Sequence, residues 1–255
     1  MSDLITVQGI VLSAQPVGEY DKRIVLLTRE RGKISAFAKG ARRQNSPFMA
    51  AANPFVFGNF TLYEGRSSYN LNQVTVTHHF VELAARQPGV YYGYYFLELA
   101  DYFGREGTDE KNMMNLLYLT VKALLNPEID DRLVRCIFEL RTMTEQGLMP
   151  ELFRCVNCGE EIAGKENLFF SQEAHGILDG DCLKKASPRE ARTARRISPA
   201  ALYTMQYIVS SPMTKLYSFT VTDEVLWELE RHIQPYVAGT TDKKFKSLQI
   251  LEVMV

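Results

Sequence analysis

The sequence lacks the features that mark secreted, membrane-spanning or hydrolytic proteins. No apolar run approaches the roughly 20 residues that a membrane-spanning helix needs, and the opening MSDLITVQGI does not have the layout of a signal peptide. Neither a glycine-rich phosphate loop nor a G-x-S-x-G or H-E-x-x-H motif is present. We therefore expect a cytoplasmic protein that has no membrane partner and is not an enzyme.

Cysteine is also scarce, with four residues in a chain of 255. Thiols stay reduced in the cytosol, so these cysteines are expected to be metal ligands or small buried residues and not disulfides. Three of the four lie between Cys155 and Cys182, which indicates a metal site. Cys136, in RLVRCIFEL, lies within helical text and is predicted to be a buried core residue.

Charge is distributed unevenly along the chain, although the overall composition is that of an ordinary globular protein. The formal net charge is −1, but residues 1–80 carry nine Lys/Arg and five Asp/Glu. The remaining residues carry 20 basic and 25 acidic side chains. Such asymmetry suggests that the first part of the chain binds a polyanion.

The chain also changes its periodicity near residue 80. Five strand candidates precede it: ITVQGIVLSA, RIVLLT, KISAFAKG, FVFGNFTLYEG and SSYNLNQVTVT. Five strands in about 80 residues fit an OB-fold, and the strand count alone is also compatible with an SH3-like barrel. Apolar residues recur every three or four positions afterwards. We predict a multidomain α+β protein, with an OB-fold β-barrel at 1–80 and an α-helical domain at 81–255. A zinc-knuckle-type loop is expected within the helical domain at about 151–187.

A basic run crosses the second and third predicted strands and the loop that follows them. In OB-folds this region binds single-stranded nucleic acid through cations and aromatic rings. The alternative interpretation is that the run is simply a solvated surface. Nothing in it resembles a recognition helix, so any binding should depend on the phosphate backbone and on salt. Arg29 belongs to the same run, and the candidate DNA-binding residues are Lys22, Arg23, Arg31, Lys33, Lys39, Arg42 and Arg43.

A second basic run, KKASPREARTARR, extends from Lys184 to Arg196 and contains six Lys/Arg and one Glu. Two interpretations remain open for it. The run could extend a nucleic-acid-binding track, or it could be an exposed linker between the inserted loop and the next helix.

The segment from Cys155 to Cys182 provides the candidate metal ligands. Cys155-Val-Asn-Cys158-Gly159 has the spacing of a zinc knuckle, in which one tight turn delivers two thiolates. Asp179-Gly-Asp-Cys182 repeats that two-residue spacing, and carboxylate oxygen is an accepted zinc donor. We favour Cys155, Cys158, Asp179 and Cys182 as a closed, structural zinc site. His175 in place of Asp179, and the absence of a metal, are the alternatives.

Three stretches of the chain resemble the RecO family of bacterial recombination mediators. VQGIVLSAQPVGEYDKRIVLLTRERGKISAFAKGARR is similar to the start of the family's OB domain, and NPFVFGNFTLYEGRSSYNLNQVTV to the rest of it. CVNCG … FFSQEAHGILDGDC is similar to the family's Cys-x-x-Cys-Gly … Phe-Ser … Gly-Gly-x-x-Cys-x-x-Cys insert. His175 replaces the first glycine of that pattern, and Asp179 replaces its third cysteine.

The resemblance implies a non-catalytic protein of recombinational DNA repair. Such a protein would bind single- and double-stranded DNA (ssDNA and dsDNA) and anneal complementary strands. With RecR as a partner, it would help to load RecA onto DNA coated by the single-strand-binding protein, SSB. The resemblance also implies that the helical domain binds the acidic, hydrophobic C-terminal tail of SSB.

Two other functions are compatible with the residues. A protein-interaction scaffold with a structural zinc site would use the barrel and helices to bind partners without touching DNA. A zinc-dependent hydrolase would require an open coordination position, which four protein ligands would not leave.

Overall fold

The computed structural model describes residues 4–65 and 68–254, and it forms strands first and helices afterwards. The predicted strand SSYNLNQVTVT begins at Ser67, which lies outside the described residues. The first part of the chain contains β1 (Leu4–Val17), β2 (Asp21–Thr28), β3 (Gly32–Ala38), α1 (Phe48–Ala51), β4 (Val56–Glu64) and β5 (Tyr69–His79).

A 3-10 turn (Val81–Ala85) and three helices follow: α2 (Gly89–Phe103), α3 (Lys111–Leu124) and α4 (Asp131–Glu145). The next segments are short: β6 (Glu151–Cys155), β7 (Leu168–Ser171), β8 (Gly176–Asp179), α5 (Gly180–Leu183), α6 (Pro188–Thr193) and β9 (Arg195–Arg196). The chain then forms α7 (Pro199–Ser210), α8 (Asp223–Thr240) and α9 (Lys246–Met254). In the described residues, no helix combines the length and the apolar character needed to cross a membrane.

The first five strands close into a barrel in the order β1-β2-β3-β5-β4. Strand β1 is long enough to pair with β2 through its second half and with β4 through its first half. Alternate residues such as Val11, Ile24, Leu26 and Phe60 point inward and form a closed apolar core. The predicted fold class, an OB-type barrel followed by a helical region, is confirmed.

Two glycines allow the strands of the barrel to cross closely. Gly9 on β1 lies opposite Gly58 on β4, and the register of β4 against β5 shifts at Gly58. A Cβ atom at Gly58 would lie 2.4 Å from the carbonyl oxygen of Thr75, and one at Gly9 would lie 2.7 Å from that of Leu27. Both positions therefore exclude a side chain.

Contacts group the chain into two compact units. The first contains residues up to Leu125 together with those from Phe245 onward, and the second runs from Asn126 to Lys244. In the first unit, α9 packs on α2: the ring of Phe245 contacts those of Tyr95 and Tyr102. The carboxylate of Glu98 accepts hydrogen bonds from the backbone and the hydroxyl of Ser247.

The second unit combines helices with a small sheet of strand order β6-β8-β7-β9. Helix α4 packs against α7 and α8, and Cys136 on α4 is fully buried, as predicted. The cysteine segment shows little periodicity in the sequence, because its strands contain only two to five residues each. The small sheet was therefore not predicted.

Candidate metal centre and nucleic-acid interface

Two parallel strands bring the four candidate metal ligands together. Cys155 is the last residue of β6 and Asp179 the last of β8, and these strands run parallel. Parallel strands deliver their carboxyl ends to the same edge of a sheet, so both side chains emerge at one place. Cys158 follows in a turn that ends at Gly159, whose φ of 74° suits glycine. Cys182 lies one helical turn beyond Asp179, in α5.

The ligand atoms of Cys155, Cys158, Asp179 and Cys182 all lie within 4.8 Å of one another. Zinc–sulfur bonds of about 2.3 Å in a tetrahedron place neighbouring donors about 3.8 Å apart. Small side-chain rotations would bring the four atoms to that spacing. Cys155 and Cys182 are buried and Cys158 is exposed. The group therefore lies at the protein surface, with two of its thiols buried and one exposed to solvent.

The two carboxylate oxygens of Asp179 have different neighbours. Oδ1 accepts hydrogen bonds from the backbone N–H groups of Asp181 and Cys182, and thereby caps α5. Oδ2 lies 3.5 Å from the Sγ atom of Cys158 and 3.6 Å from the ammonium of Lys165. One oxygen therefore supports the local fold while the other faces the thiols.

The local hydrogen bonds favour an ionised Asp179. The backbone N–H of Cys182 is the main cause that lowers the pKa of Asp179, to about 2. At Cys155, burial opposes ionisation, but backbone hydrogen bonds from Cys158, Asp179 and Asn157 bring the pKa below its ordinary value. Burial and the neighbouring thiols and carboxylate raise the pKa of Cys182 to about 12.

This donor set fits a zinc or similar thiophilic ion. Three sulfurs and one carboxylate oxygen occupy all the positions of a tetrahedron, which is the arrangement of closed structural sites. Four ionised donors would concentrate negative charge at this place. A bound divalent cation would offset part of that charge.

His175 is not part of this group among the described residues. It is exposed, and its ring contacts that of Tyr236 at 5.8 Å. Its backbone has a φ of 53°, in the left-handed region. The structure thus groups Asp179, and not His175, with the three cysteines.

The structure divides the predicted DNA-binding residues between the two ends of the β2–β3 hairpin. Lys22 lies opposite Ala38 and Thr28 opposite Gly32, so about 20 Å separate the two ends at roughly 3.3 Å per residue. We call the two groups the loop-end cations (Lys22, Arg23, Lys39, Arg42 and Arg43) and the turn-end cations (Arg29, Arg31 and Lys33).

The loop-end cations are mostly free of acidic partners. Arg23, Lys39, Arg42 and Arg43 are exposed, and in the described part of the chain none of them forms an ion pair. Arg43 lies over the ring of Tyr20, 5.0 Å from its centroid. Lys22, by contrast, is only partly exposed. It donates to Asn53 and Ala52, and burial together with the charge of Arg42 lowers its pKa.

Two of the turn-end cations have acidic neighbours. The guanidinium of Arg31 lies 3.9 Å from the carboxylate of Glu64, and the ammonium of Lys33 lies 3.4 Å from that of Asp101. Such pairing leaves less positive charge for phosphates at this end of the hairpin.

Most aromatic side chains of the barrel are not available for stacking on bases. Phe55, Phe57 and Tyr69 are buried, while Tyr20 and Tyr63 are exposed by 44% and 42%. Tyr20 was not predicted as a candidate because it lies in the loop between the first two strands and not in a strand.

The second basic run is a folded segment. Ser187 and Glu190 form a capping box at the start of α6, and Arg195 and Arg196 pair with β7 as strand β9. All six basic side chains of the run are exposed, and Lys184 forms an ion pair with Asp181.

Comparison with protein-family models identifies the chain. Residues 1–80 match "Recombination protein O N terminal" and residues 89–249 match "Recombination protein O C terminal". The chain belongs to the RecO family. Curated RecO proteins match it over almost their whole length, so the resemblance found in the sequence is confirmed.

Several of these relatives are named DNA repair protein RecO. That of Alkaliphilus metalliredigens is 30% identical over 254 residues, which cover 97% of this chain and 98% of the relative. That of Symbiobacterium thermophilum is 30% identical over 252 residues, or 98% of each chain. That of Desulforamulus reducens is 29% identical over 246 residues, which cover 96% of this chain and 92% of the relative.

Proposed function

We propose that this protein is a non-catalytic mediator of recombinational DNA repair that binds ssDNA and dsDNA and anneals complementary strands. The carrying observation is the cluster of exposed cations Arg23, Lys39, Arg42 and Arg43, none of which forms an ion pair in the described residues. Their charge is available to neutralise phosphates without reading bases, which is what annealing any two complementary strands requires. Membership of a family of DNA repair proteins supports the same role.

Further partners follow from the family. In this proposal the protein acts in the bacterial cytoplasm at the nucleoid, and works with RecR to load RecA onto DNA that SSB coats. The SSB C-terminal tail is both acidic and hydrophobic. A cleft of about 1260 Å³ in the second unit is lined by the exposed rings of Phe153 and Tyr203, which suit the hydrophobic part of the tail. Among its cations, Arg154 is paired with Glu161, whereas Arg196 forms no ion pair in the described residues and suits the acidic part. Tyr203→Ala is expected to weaken binding of an SSB-tail peptide.

We also propose that Cys155, Cys158, Asp179 and Cys182 hold a structural zinc ion. When bound, the ion would cross-link β6, β8 and α5. Because all four donors come from the protein, the site supports the fold of the second unit and has no open position for substrate.

The DNA-binding proposal is tested by the dependence of affinity on salt. Fluorescence anisotropy with a single-stranded oligonucleotide would compare the wild type with the triple variant Lys39→Glu, Arg42→Glu, Arg43→Glu. For single strands, each lost phosphate contact reduces the slope of log K against log salt by about 0.7. We expect the triple variant to bind more weakly and its slope to be shallower by about 2.

A matched control makes the same change of charge elsewhere. Lys215→Glu, Arg231→Glu and Lys244→Glu reverse three exposed cations of the second unit. We expect the slope of this variant to differ from that of the wild type by no more than about 0.7, which corresponds to one phosphate contact. Equal losses in both variants would show that only net charge matters, and unchanged binding in the first would favour the scaffold function.

A further inference from the structure

A second feature of the first unit lies apart from the loop-end cations. A cleft of about 240 Å³ opens between strands β1, β4 and β5 and helix α3. Sites for complete small-molecule ligands usually occupy roughly 300–1,000 Å³. The cleft therefore has room for one ring system, and not for a large ligand.

Aromatic rings form one wall of this cleft. The rings of Phe57, His78 and Tyr118 line it, and the ring of Phe80 stands behind them. The His78 ring lies 4.7 Å from that of Phe80 and 5.7 Å from that of Tyr118, and the Tyr118 ring is 5.1 Å from that of Phe57. This packing holds the wall in place, so a flat ligand would meet preformed ring faces and edges.

Hydrogen-bonding groups without partners form another part of the lining, beside Gly9, Gly58 and Met114. Gln8, Thr77 and Asn115 all line the cleft and are exposed. Among the described residues, none of their side chains has a hydrogen-bond partner. The side-chain amides of Gln8 and Asn115 each offer two N–H donors and one carbonyl acceptor. Such groups can form hydrogen bonds with the edge of a nucleobase.

Free cations flank the cleft along α3. Lys111, Asn115, Tyr118 and Lys122 recur at spacings of four, three and four, so they form one stripe on the helix. The two lysines lie about 16 Å apart along the axis at 1.5 Å per residue. Both are exposed and, in the part of the chain that the structure describes, neither forms an ion pair. Arg29 adds a third cation, since its backbone N–H donates to the carbonyl of Gln8.

We propose that this cleft captures one unstacked base of single-stranded DNA, with the flanking phosphates held by Lys111 and Lys122. The inference rests on the proposed DNA-binding function. It adds a site for a base to the phosphate contacts proposed for the loop-end cations. Stacking on an aromatic wall tolerates any base, so the site holds a strand without demanding a sequence. Its position on β1, β4, β5 and α3 distinguishes it from the β2–β3 hairpin.

The experiment compares two oligonucleotides that differ only in bases. Anisotropy titrations of the full chain at one salt concentration would use a short thymidine oligonucleotide and an abasic strand of equal length. Base stacking on aromatic side chains predicts that the wild type prefers the thymidine strand by about 5-fold or more. The double variant Gln8→Ala, Asn115→Ala and the single variant Tyr118→Ala should each lose most of that preference.

The variants are matched for folding and for position. Gln8 and Asn115 are exposed, so their replacement should leave the fold intact even if Tyr118→Ala weakens the ring cluster. Gln249→Ala removes an exposed amide of the same unit outside the cleft and should keep the full preference. A strand carrying 5-iodouracil should, on irradiation, cross-link to His78 or Tyr118, as mapped by mass spectrometry.

Each other outcome overturns the proposal in a recognisable way. If the wild type binds both strands equally well, the cleft takes no base, while the DNA-binding function stands. A preference that persists in the double variant, with cross-links elsewhere, places the base at another site. Failure to bind either strand would overturn the DNA-binding function itself.

Discussion

At the scale of single residues, Asp179 combines two roles that usually fall to different side chains. Its Oδ1 atom caps α5 and its Oδ2 atom faces the thiols. A carboxylate can do both because it has two acceptor oxygens, whereas a thiolate has one donor atom. Compared with a cysteine, aspartate at this position therefore provides a helix cap, but its oxygen is a harder metal donor than sulfur.

Three substitutions at Asp179 separate these roles. Asp179→Ala removes both, and we expect it to lose zinc. Asp179→Asn keeps the cap but removes the charged donor, so zinc should also be lost while α5 persists. Asp179→Cys should retain one zinc per chain, with a loss of about 1 kcal/mol in cap stability. Metal content per chain, measured by elemental analysis after dialysis, checks all three, and full zinc in Asp179→Ala would contradict the ligand assignment.

A buried histidine should make the second unit sensitive to acid. His232 is 2% exposed, and its Nε2 atom has no hydrogen-bond partner among the described residues. Burial lowers the pKa of His232 from 6.5 to about 4, although the nearby carboxylate of Glu228 acts in the opposite direction. In the unfolded chain the pKa returns to about 6.5, so the unfolded state binds more protons between these values.

Stability should therefore fall as the pH decreases from about 6.5 to 4, by up to about 3 kcal/mol from this residue. Above pH 6.5 the contribution is fully present. His232→Gln removes the titration, so the slope of unfolding free energy against pH should flatten in this interval. Urea titrations at several pH values measure the slope, with His175→Gln as the control for an exposed histidine of the same unit. Identical slopes for His232→Gln and wild type would contradict the prediction.

At the scale of elements, local patterns predicted most of what the structure contains. The five strands follow from alternation and turn residues, and the spacing Asp179-x-x-Cys182 brings together the residues that the structure groups. Pairing between distant residues was not accessible: Lys33 meets Asp101, and Arg31 meets Glu64. Nothing near Lys33 or Arg31 in the chain signals those acids. The cleft beside α3 was missed for the same reason, since Gln8, His78 and Asn115 lie far apart in the sequence.

The crossing of β1, β4 and β5 depends on a glycine that has no room for a side chain. In Gly58→Ala, the new Cβ atom would lie 2.4 Å from the backbone oxygen of Thr75, so strand β5 must shift. Overpacking of this kind costs typically about 1–3 kcal/mol. Chemical denaturation should show a lower midpoint for Gly58→Ala, whereas Asn59→Ala, at the exposed neighbouring position, should stay near the wild type. An unchanged midpoint for Gly58→Ala would show that the strands can separate without loss.

At the scale of the whole molecule, all four proposed metal ligands belong to the second unit. Removal of zinc should therefore loosen that unit and leave the barrel intact, because metal binding and local folding are coupled. Hydrogen exchange before and after chelation measures this. Peptides from residues 151–183 should exchange faster in the zinc-free protein, those from β1 to β5 should not, and added zinc should restore protection. Equal exchange with and without zinc would contradict a structural role.

The placement of α9 has a consequence for the order of events during synthesis. The ribosome makes the second unit after the barrel and before α9, yet α9 packs on α2 of the first unit. Until then, the apolar face of α2 that Phe245 covers stays open, while the whole second unit has already emerged. The first unit is thus completed only after the second unit has been made, so a nascent chain cut short before Phe245 would be left with an unfinished first unit.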